Sequence, residues 1–452
     1  MPNEKELLME KLSEDLWLRL SKSGLPIHSF LMDWNGITRK EAYQAPYGPS
    51  DLHRMFSITK SFCSIAIGFL CAEGTLKLED HIVDYFPEYC SDKPHPWLKE
   101  MTIRHMLSME TCHTSTTYKV HSHENWVESF FITPPSHRSG QIFLYDTSSS
   151  HTLAALVKKL TKKGVLDYLR EKCLDQIGFS KEAYIIHDPF GSEMGGSGLM
   201  ALPSDLLKLG RYCMDTILYG QDDFAGYLRE AVSFLVPTVH FGQTFDEQQG
   251  YGYQFWRIRN GFAMYGMGGQ YVLFYPQHDL VFVVTADTQN IKGGNQMILN
   301  IIGETVEALP LDKKVFKNHK GQTTDVDPPG SWNESYRLYD NQKGFHKLSL
   351  CLDQKEGRLT LFGSEKRFSI PFSFKEPKVS LLESYEQRIA VKAVWADSSS
   401  LYLPVQVVGE CVGSIHIMLK LSREKITVWM KKIEETYFTE FQGFLEGEKE
   451  PH

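Results

Sequence analysis

Ser57-Ile58-Thr59-Lys60 places a hydroxyl and an amine three residues apart, a spacing that on a helix puts both side chains on one face. The chemistry on offer is nucleophilic: a neutral lysine amine accepts the serine proton, and the oxygen so activated attacks a carbonyl carbon. Neutrality is the demanding condition. Burial and the positive end of a helix dipole both disfavour the charged amine. A chain of this length carries roughly one or two Ser-x-x-Lys matches by chance, and a second stands at Ser422 and Lys425. That copy falls in Ser422-Arg423-Glu424-Lys425, a charged turn between two alternating runs, where water keeps the lysine protonated. Spacing and burial single out Ser57 and Lys60 without deciding that the pair is catalytic. His121-Ser122-His123 has a metal-like spacing, but no further His or Asp cluster completes a site and the pair reads as a polar loop. No P-loop or dinucleotide-binding glycine pattern appears, so neither a metal nor an organic cofactor is expected.

The elements that must carry these residues are legible in the hydrophobic pattern. Phe62 to Cys71 is apolar nearly all round, with Gly74 as a stop, which predicts a short buried helix and a firm platform for Ser57 and Lys60. Leu8, Leu12 and Leu16 recur at helical spacing. Ser29 to Trp34 reads as a strand turning at Asn35-Gly36, the dipeptide suited to a tight hairpin. Helical stretches follow through about residue 240, including 150–163 and 203–218. Two β-rich runs, 271–275 and 280–284, flank the Pro276-Gln277-His278-Asp279 turn, and 295–309 returns to helix. Residues 313–330 are polar and end in Asp327-Pro328-Pro329-Gly330, a linker composition. Beyond them the period becomes two, as in Leu401/Leu403/Val405/Val407 and Ile415/Ile417/Leu419/Leu421, which predicts an antiparallel sheet curled into a barrel or sandwich. The expected division is residues 1–312, a linker at 313–330 and an all-β domain at 331–452 that carries no catalytic group.

Composition excludes several classes. The 452 residues are long enough for two to four domains, and the net charge of −8 lacks the positive field of a nucleic-acid or anionic-membrane binder. The eight cysteines are scattered with no Cys-x-x-Cys pair, so most should be buried, reduced thiols. No secretory signal is visible at the N-terminus and no apolar run reaches the roughly 20 residues that span a bilayer. The expected location is the cytoplasm. The expected partner is a small-molecule substrate, with no nucleic acid and no membrane; the oligomeric state is left open.

The run His53-Arg54-Met55-Phe56-Ser57-Ile58-Thr59-Lys60-Ser61-Phe62, with Glu73-Gly74 and Thr102-Ile103-Arg104-His105-Met106-Leu107 after it, resembles the serine hydrolases of the class C β-lactamase type. That superfamily includes family VIII carboxylesterases, penicillin-binding proteins and 6-aminohexanoate-dimer hydrolases. The resemblance continues in the family's order through residues 140–148, Gly196-Ser197-Gly198-Leu199 with Ser204-Asp205-Leu206, and Tyr265-Gly266-Met267-Gly268-Gly269-Gln270-Tyr271, over about residues 1–310. It implies an α+β fold: an antiparallel sheet flanked by the terminal helices, with a helical lobe beside it and the active site between. It also implies that Ser57 is the nucleophile, Lys60 its proton acceptor, and Tyr145 a partner in proton transfer, as a phenolate or through hydrogen bonds. Backbone N–H groups of Ser57 and Gln270 would hold the oxyanion, and Gly268 and Gly269 would let substrate approach the strand. Tyr118, which on its own could line the cleft or simply anchor its segment, is kept as a pocket residue.

Two departures matter. Thr147 stands where β-lactamases place asparagine, and Met267 where they place the lysine of Lys-Thr-Gly. Methionine cannot pair with a substrate carboxylate, which favours a small uncharged ester or amide. The expectation is a serine hydrolase, carboxylesterase or amidase, acting through a Ser57 acyl-enzyme. The alternatives are a β-lactamase or D-amino-acid peptidase, and a catalytically reduced binding protein.

Overall fold

The computed structural model of the protein describes residues 3–121, 123–310, 330–409 and 413–451. Helix α1 (Glu4–Ser21) begins with Asn3 and Glu6 in a reciprocal capping box, which satisfies two of its otherwise unpaired N–H groups. Its buried face is Met9, Leu16 and Leu20. Of the stripe Leu8, Leu12 and Leu16, Leu16 is buried and Leu12 packs against the same core, while Leu8 is 41% exposed and Met9 takes the covered place. Strands β1 (Ile27–Trp34) and β2 (Ile37–Tyr43) form the expected hairpin. Asn35 and Gly36 take φ of 54° and 74°, the paired positive values of a tight hairpin turn.

Short strands β3 (His53–Arg54), β4 (Tyr184–Ile185) and β5 (Leu199–Ala201) make a small sheet beside helix α2 (Ile58–Ala72). The main sheet is completed by β6 (Trp256–Ile258), β7 (Gly261–Gly266), β8 (Gln270–Tyr275) and β9 (Leu280–Ala286), in the order β2-β1-β9-β8-β7-β6, antiparallel throughout. Strands β8 and β9 are buried at every position because both faces of the sheet are covered. On one face Phe30, Met32, Leu273, Phe282 and Val284 join α1 and the Gly294–Glu307 helix in one core. On the other, Leu31, Val272, Phe274, Val281 and Val283 join α2 and the lobe built from helices such as Thr147–Thr161 and Pro203–Tyr219. Every residue of α2 from Ile58 to Gly68 is buried in this second core. The seven described cysteines are free thiols, four of them buried.

The expected linker lies, apart from Gly330, outside the described residues. After it come β10 (Trp332–Leu338), β11 (Phe345–Leu352), β12 (Glu356–Gly363), β13 (Arg367–Ser373), β14 (Lys378–Leu382), β15 (Gln387–Val391), β16 (Val394–Trp395), β17 (Ser400–Val408), β18 (Ser414–Leu421), β19 (Lys425–Ile433) and β20 (Gly443–Lys449). They form an 11-stranded sheet in the order β13-β12-β11-β10-β20-β19-β18-β17-β15-β14, with β16 added to β17. The Ala393 N–H donates to the Ser373 carbonyl at 2.8 Å, bringing the two ends of that path together into a nearly closed barrel. The alternating residues read from the sequence, among them Leu403, Val405, Ile417, Leu419 and Val428, fill its interior. Among the described residues no helix is long and apolar enough to cross a membrane.

Candidate active site

Ser57 stands immediately before α2, after Phe56 at φ 45°, a left-handed backbone unusual for a bulky residue and frequent where a fold forces a sharp entry. Lys60, one helical turn on, is 1% exposed, and its Nζ lies 2.9 Å from Ser57 Oγ. The amine also donates to the Gly196 carbonyl at 2.6 Å. Burial lowers the Lys60 pKa to about 7, with Asp146 pulling it up and the positive charge of Lys119 pushing it further down. A large fraction of Lys60 is therefore neutral near pH 7 and able to take a proton from the hydroxyl it touches.

Gly196 reaches Lys60 because the 195–199 segment is laced along the start of α2. Cys63 Sγ donates to the Gly195 carbonyl, Arg54 Nε to the Ser197 carbonyl, and the Leu199 N–H to Thr59 Oγ1 at 3.0 Å. Thr147 closes the other side. Its Cγ2 sits 2.3 Å from where a Cβ on Gly196 would fall, so only glycine lets that carbonyl come so near the helix that carries Thr147. Thr147 thus presents its methyl to the Gly196 segment that supports Lys60.

Tyr145 is partly buried, its phenol is hydrogen-bonded to the Ser57 side chain, and the Lys60 amine lies 4.9 Å from its ring centroid. Burial raises the phenol pKa well above its usual value despite that hydrogen bond, so Tyr145 is a neutral phenol near pH 7. Of the two forms expected, the hydrogen-bonding phenol is the one this environment stabilises. Its ring stacks on Trp256 at 5.6 Å. The next residue, Asp146, accepts from the Ser148 N–H at 2.8 Å and caps the Thr147–Thr161 helix, which fixes the backbone on which Tyr145 sits. Burial raises Asp146 to about 6, with hydrogen bonds from Ser148 and Thr111 and the Lys60 charge opposing.

The β7–β8 turn forms the facing wall. Gly268 and Gly269 take φ of 86° and 91°, and a Cβ on Gly266 would fall 2.2 Å from the Met55 carbonyl. Backbone therefore meets backbone two residues before Ser57, which a side chain at 266 would forbid. Gln270 pairs with Gly266 across the turn, and its amide donates to the Ala286 carbonyl at 2.7 Å and the Met267 carbonyl at 3.2 Å. Its side chain thus holds the turn. Met267 is 50% exposed at the tip. Tyr118 stacks on Trp126 at 4.1 Å, and its phenol is raised by burial and by the Asp146 charge, which places it at the side of the same site.

The structure therefore brings Ser57, Lys60, Tyr145, Thr147, Tyr118 and the 267–270 turn together. Ser422 and Lys425 are exposed in the β18–β19 turn, where the Ser422 hydroxyl donates to the Lys425 carbonyl at 2.9 Å. Asp146, Trp256 and Lys119 escaped the sequence reading. Only Asp146 left a signal there, as a helix-capping residue one position after Tyr145.

The Beta-lactamase family model matches residues 30–301. The 6-aminohexanoate-dimer hydrolase of Paenarthrobacter ureafaciens is 22% identical over 303 residues, covering 60% of this chain and 76% of that protein. Among solved structures, the D-amino acid amidase of Ochrobactrum anthropi SV3 superposes with a TM-score of 0.52 at 15% identity, over 66% of this chain and 100% of that one. SurE superposes with a TM-score of 0.52 at 15% identity over 88% of this chain and 98% of that one. A match of that extent takes in barrel strands as well as the main sheet. At these identities the solved structures share the fold.

Proposed function

This chain belongs to the beta-lactamase family of serine hydrolases, and on that premise we propose that Ser57 forms an acyl-enzyme with small uncharged esters or amides. The observation that carries the proposal is the Lys60 amine, stripped of water and brought to a pKa of about 7 at 2.9 Å from Ser57 Oγ. Neutral Lys60 takes the Ser57 proton as Oγ attacks the carbonyl carbon. Tyr145, hydrogen-bonded to the same oxygen, passes a proton to the departing alcohol or amine, and Lys60 restores it. The oxyanion is held by the N–H groups of Ser57 and Gln270, donors fixed in direction before substrate arrives. Water then repeats the attack on the acyl carbon, with the same groups in reverse.

Met267 supports the uncharged substrate class. A thioether at the rim offers nothing to a carboxylate, and a charge-assisted hydrogen bond not made forfeits about 1.5–3 kcal/mol, roughly a factor of 10 to 150. Relatives named for amide hydrolysis support an amide as readily as an ester. Short p-nitrophenyl esters and anilides should be turned over with kcat/KM at least about tenfold above penicillins and cephalosporins. Efficient cephalosporin hydrolysis with no esterase or amidase activity would sink the assignment of substrate class.

A further inference from the structure

Strands β17 to β20 of the barrel bury residues on both faces. Their inward side chains alternate with Tyr402, Met418, Thr427, Trp429 and Glu446, and these outward residues are buried too, Thr427 at 0% and Met418 at 1% exposure. What covers them is the segment that leads into Tyr145. Ile142 and Leu144 form one apolar cluster with Tyr402, Met418 and Trp429, while Phe143 and Tyr145 turn the other way into the cluster of Tyr251 and Trp256. One extended stretch therefore lays alternate side chains on the barrel and on the site, the geometry of period two.

Polar contacts lock the same stretch. Arg138 donates from Nε to Glu446 Oε2 at 2.8 Å and from its backbone N–H to Oε1 at 3.0 Å, and its Nη2 reaches Thr427 Oγ1 at 3.2 Å. The Thr427 hydroxyl donates to the same carboxylate at 3.0 Å. His137 lies flat on Phe444 with ring centroids 3.6 Å apart. His240 meets Trp429 edge-on, and its Nε2 is 2.9 Å from the Phe143 carbonyl. A buried carboxylate with every partner in place specifies position more than it adds stability.

We propose that the barrel positions Tyr145: Glu446 through Arg138, and Trp429 with Met418 through Leu144, set the 138–144 segment so that the phenol meets Ser57. The inference rests on the proton-transfer assignment of Tyr145 above. A displacement of about 1 Å at a reacting group costs up to roughly 10²-fold, so loosening the contact should lower kcat and leave KM nearly unchanged.

The test is a double-mutant cycle on the full-length protein with a p-nitrophenyl ester, combining Glu446→Gln with Tyr145→Phe. Glu446→Gln should lower kcat about tenfold with KM changed less than about twofold, and should cost less than about twofold more in the Tyr145→Phe background. If Glu446→Gln fails to fold by circular dichroism, Trp429→Phe takes its place in the cycle with the same expectation. Equal losses in both backgrounds, a loss confined to KM, or no loss from either variant overturns the proposal. A wild-type turnover that survives Ser57→Ala overturns the hydrolase assignment instead, so the two failures are distinguishable.

Discussion

Ser57→Ala should leave no fluorophosphonate adduct on the chain and should lower ester turnover by about 10⁴- to 10⁶-fold, the usual cost of deleting a nucleophile. The side chain lost is small and its partners are Lys60 and Tyr145, so the variant should fold. Intact-mass measurement on the wild type should find one adduct, and peptide mapping should put it on Ser57. Ser422→Ala should label like the wild type, because the Ser422 hydroxyl sits in an exposed turn, bonded to the backbone carbonyl and N–H of Lys425 with no described general base beside it. An adduct that persists in Ser57→Ala removes Ser57 from the chemistry whatever the fold.

Lys60→Met should slow both labelling and turnover by about 10²- to 10⁴-fold, the range ascribed to a positioned general base. Methionine keeps most of the volume, although it leaves the Gly196 carbonyl without the amine that donates to it. The pH profile separates this from a packing effect. Burial depresses the Lys60 pKa to about 7. The amine is therefore charged and inert below that value and neutral above it, and labelling of the wild type should rise through pH 7 to a plateau. In Lys60→Met the inflection should vanish along with the rate. The same shift has a consequence for stability: an unfolded lysine holds its proton to about pH 10.4, so between pH 7 and 10 the unfolded state binds more protons and the Lys60 contribution to stability rises with pH. A rate that stays flat from pH 5 to 9 in the wild type would exclude Lys60 as the proton acceptor.

Local signals account for what the sequence reading captured. Ser57 and Lys60 are one helical turn apart, Asn35-Gly36 turns within its own two residues, and the barrel strands alternate along themselves. The Gly196 carbonyl was invisible as a partner for Lys60 because 136 residues separate them and a carbonyl carries no residue signature. The first helix follows the expected spacing, with Leu12 and Leu16 against the core, and only the packing on the sheet decides that Met9 rather than Leu8 is covered. On β17 to β20 the inward face obeyed the expected period. Nothing in an alternating pattern reveals what lies over the other face, so Trp429 and Met418 acquire their meaning only beside Leu144.

Strand β1 takes β9 as its inner neighbour, with Phe30 opposite Val284 and Met32 opposite Phe282, although roughly 250 residues of chain lie between them. At about 5–20 residues per second on the ribosome, β1 therefore waits roughly 12 to 50 s for the partner that covers its edge. Until then its only sheet neighbour is β2, and an isolated two-stranded hairpin is marginal in water. Its apolar side chains stay open to other chains throughout that interval. Losses to aggregation during synthesis are accordingly governed by the time to reach Leu280, not by the stability of the finished fold.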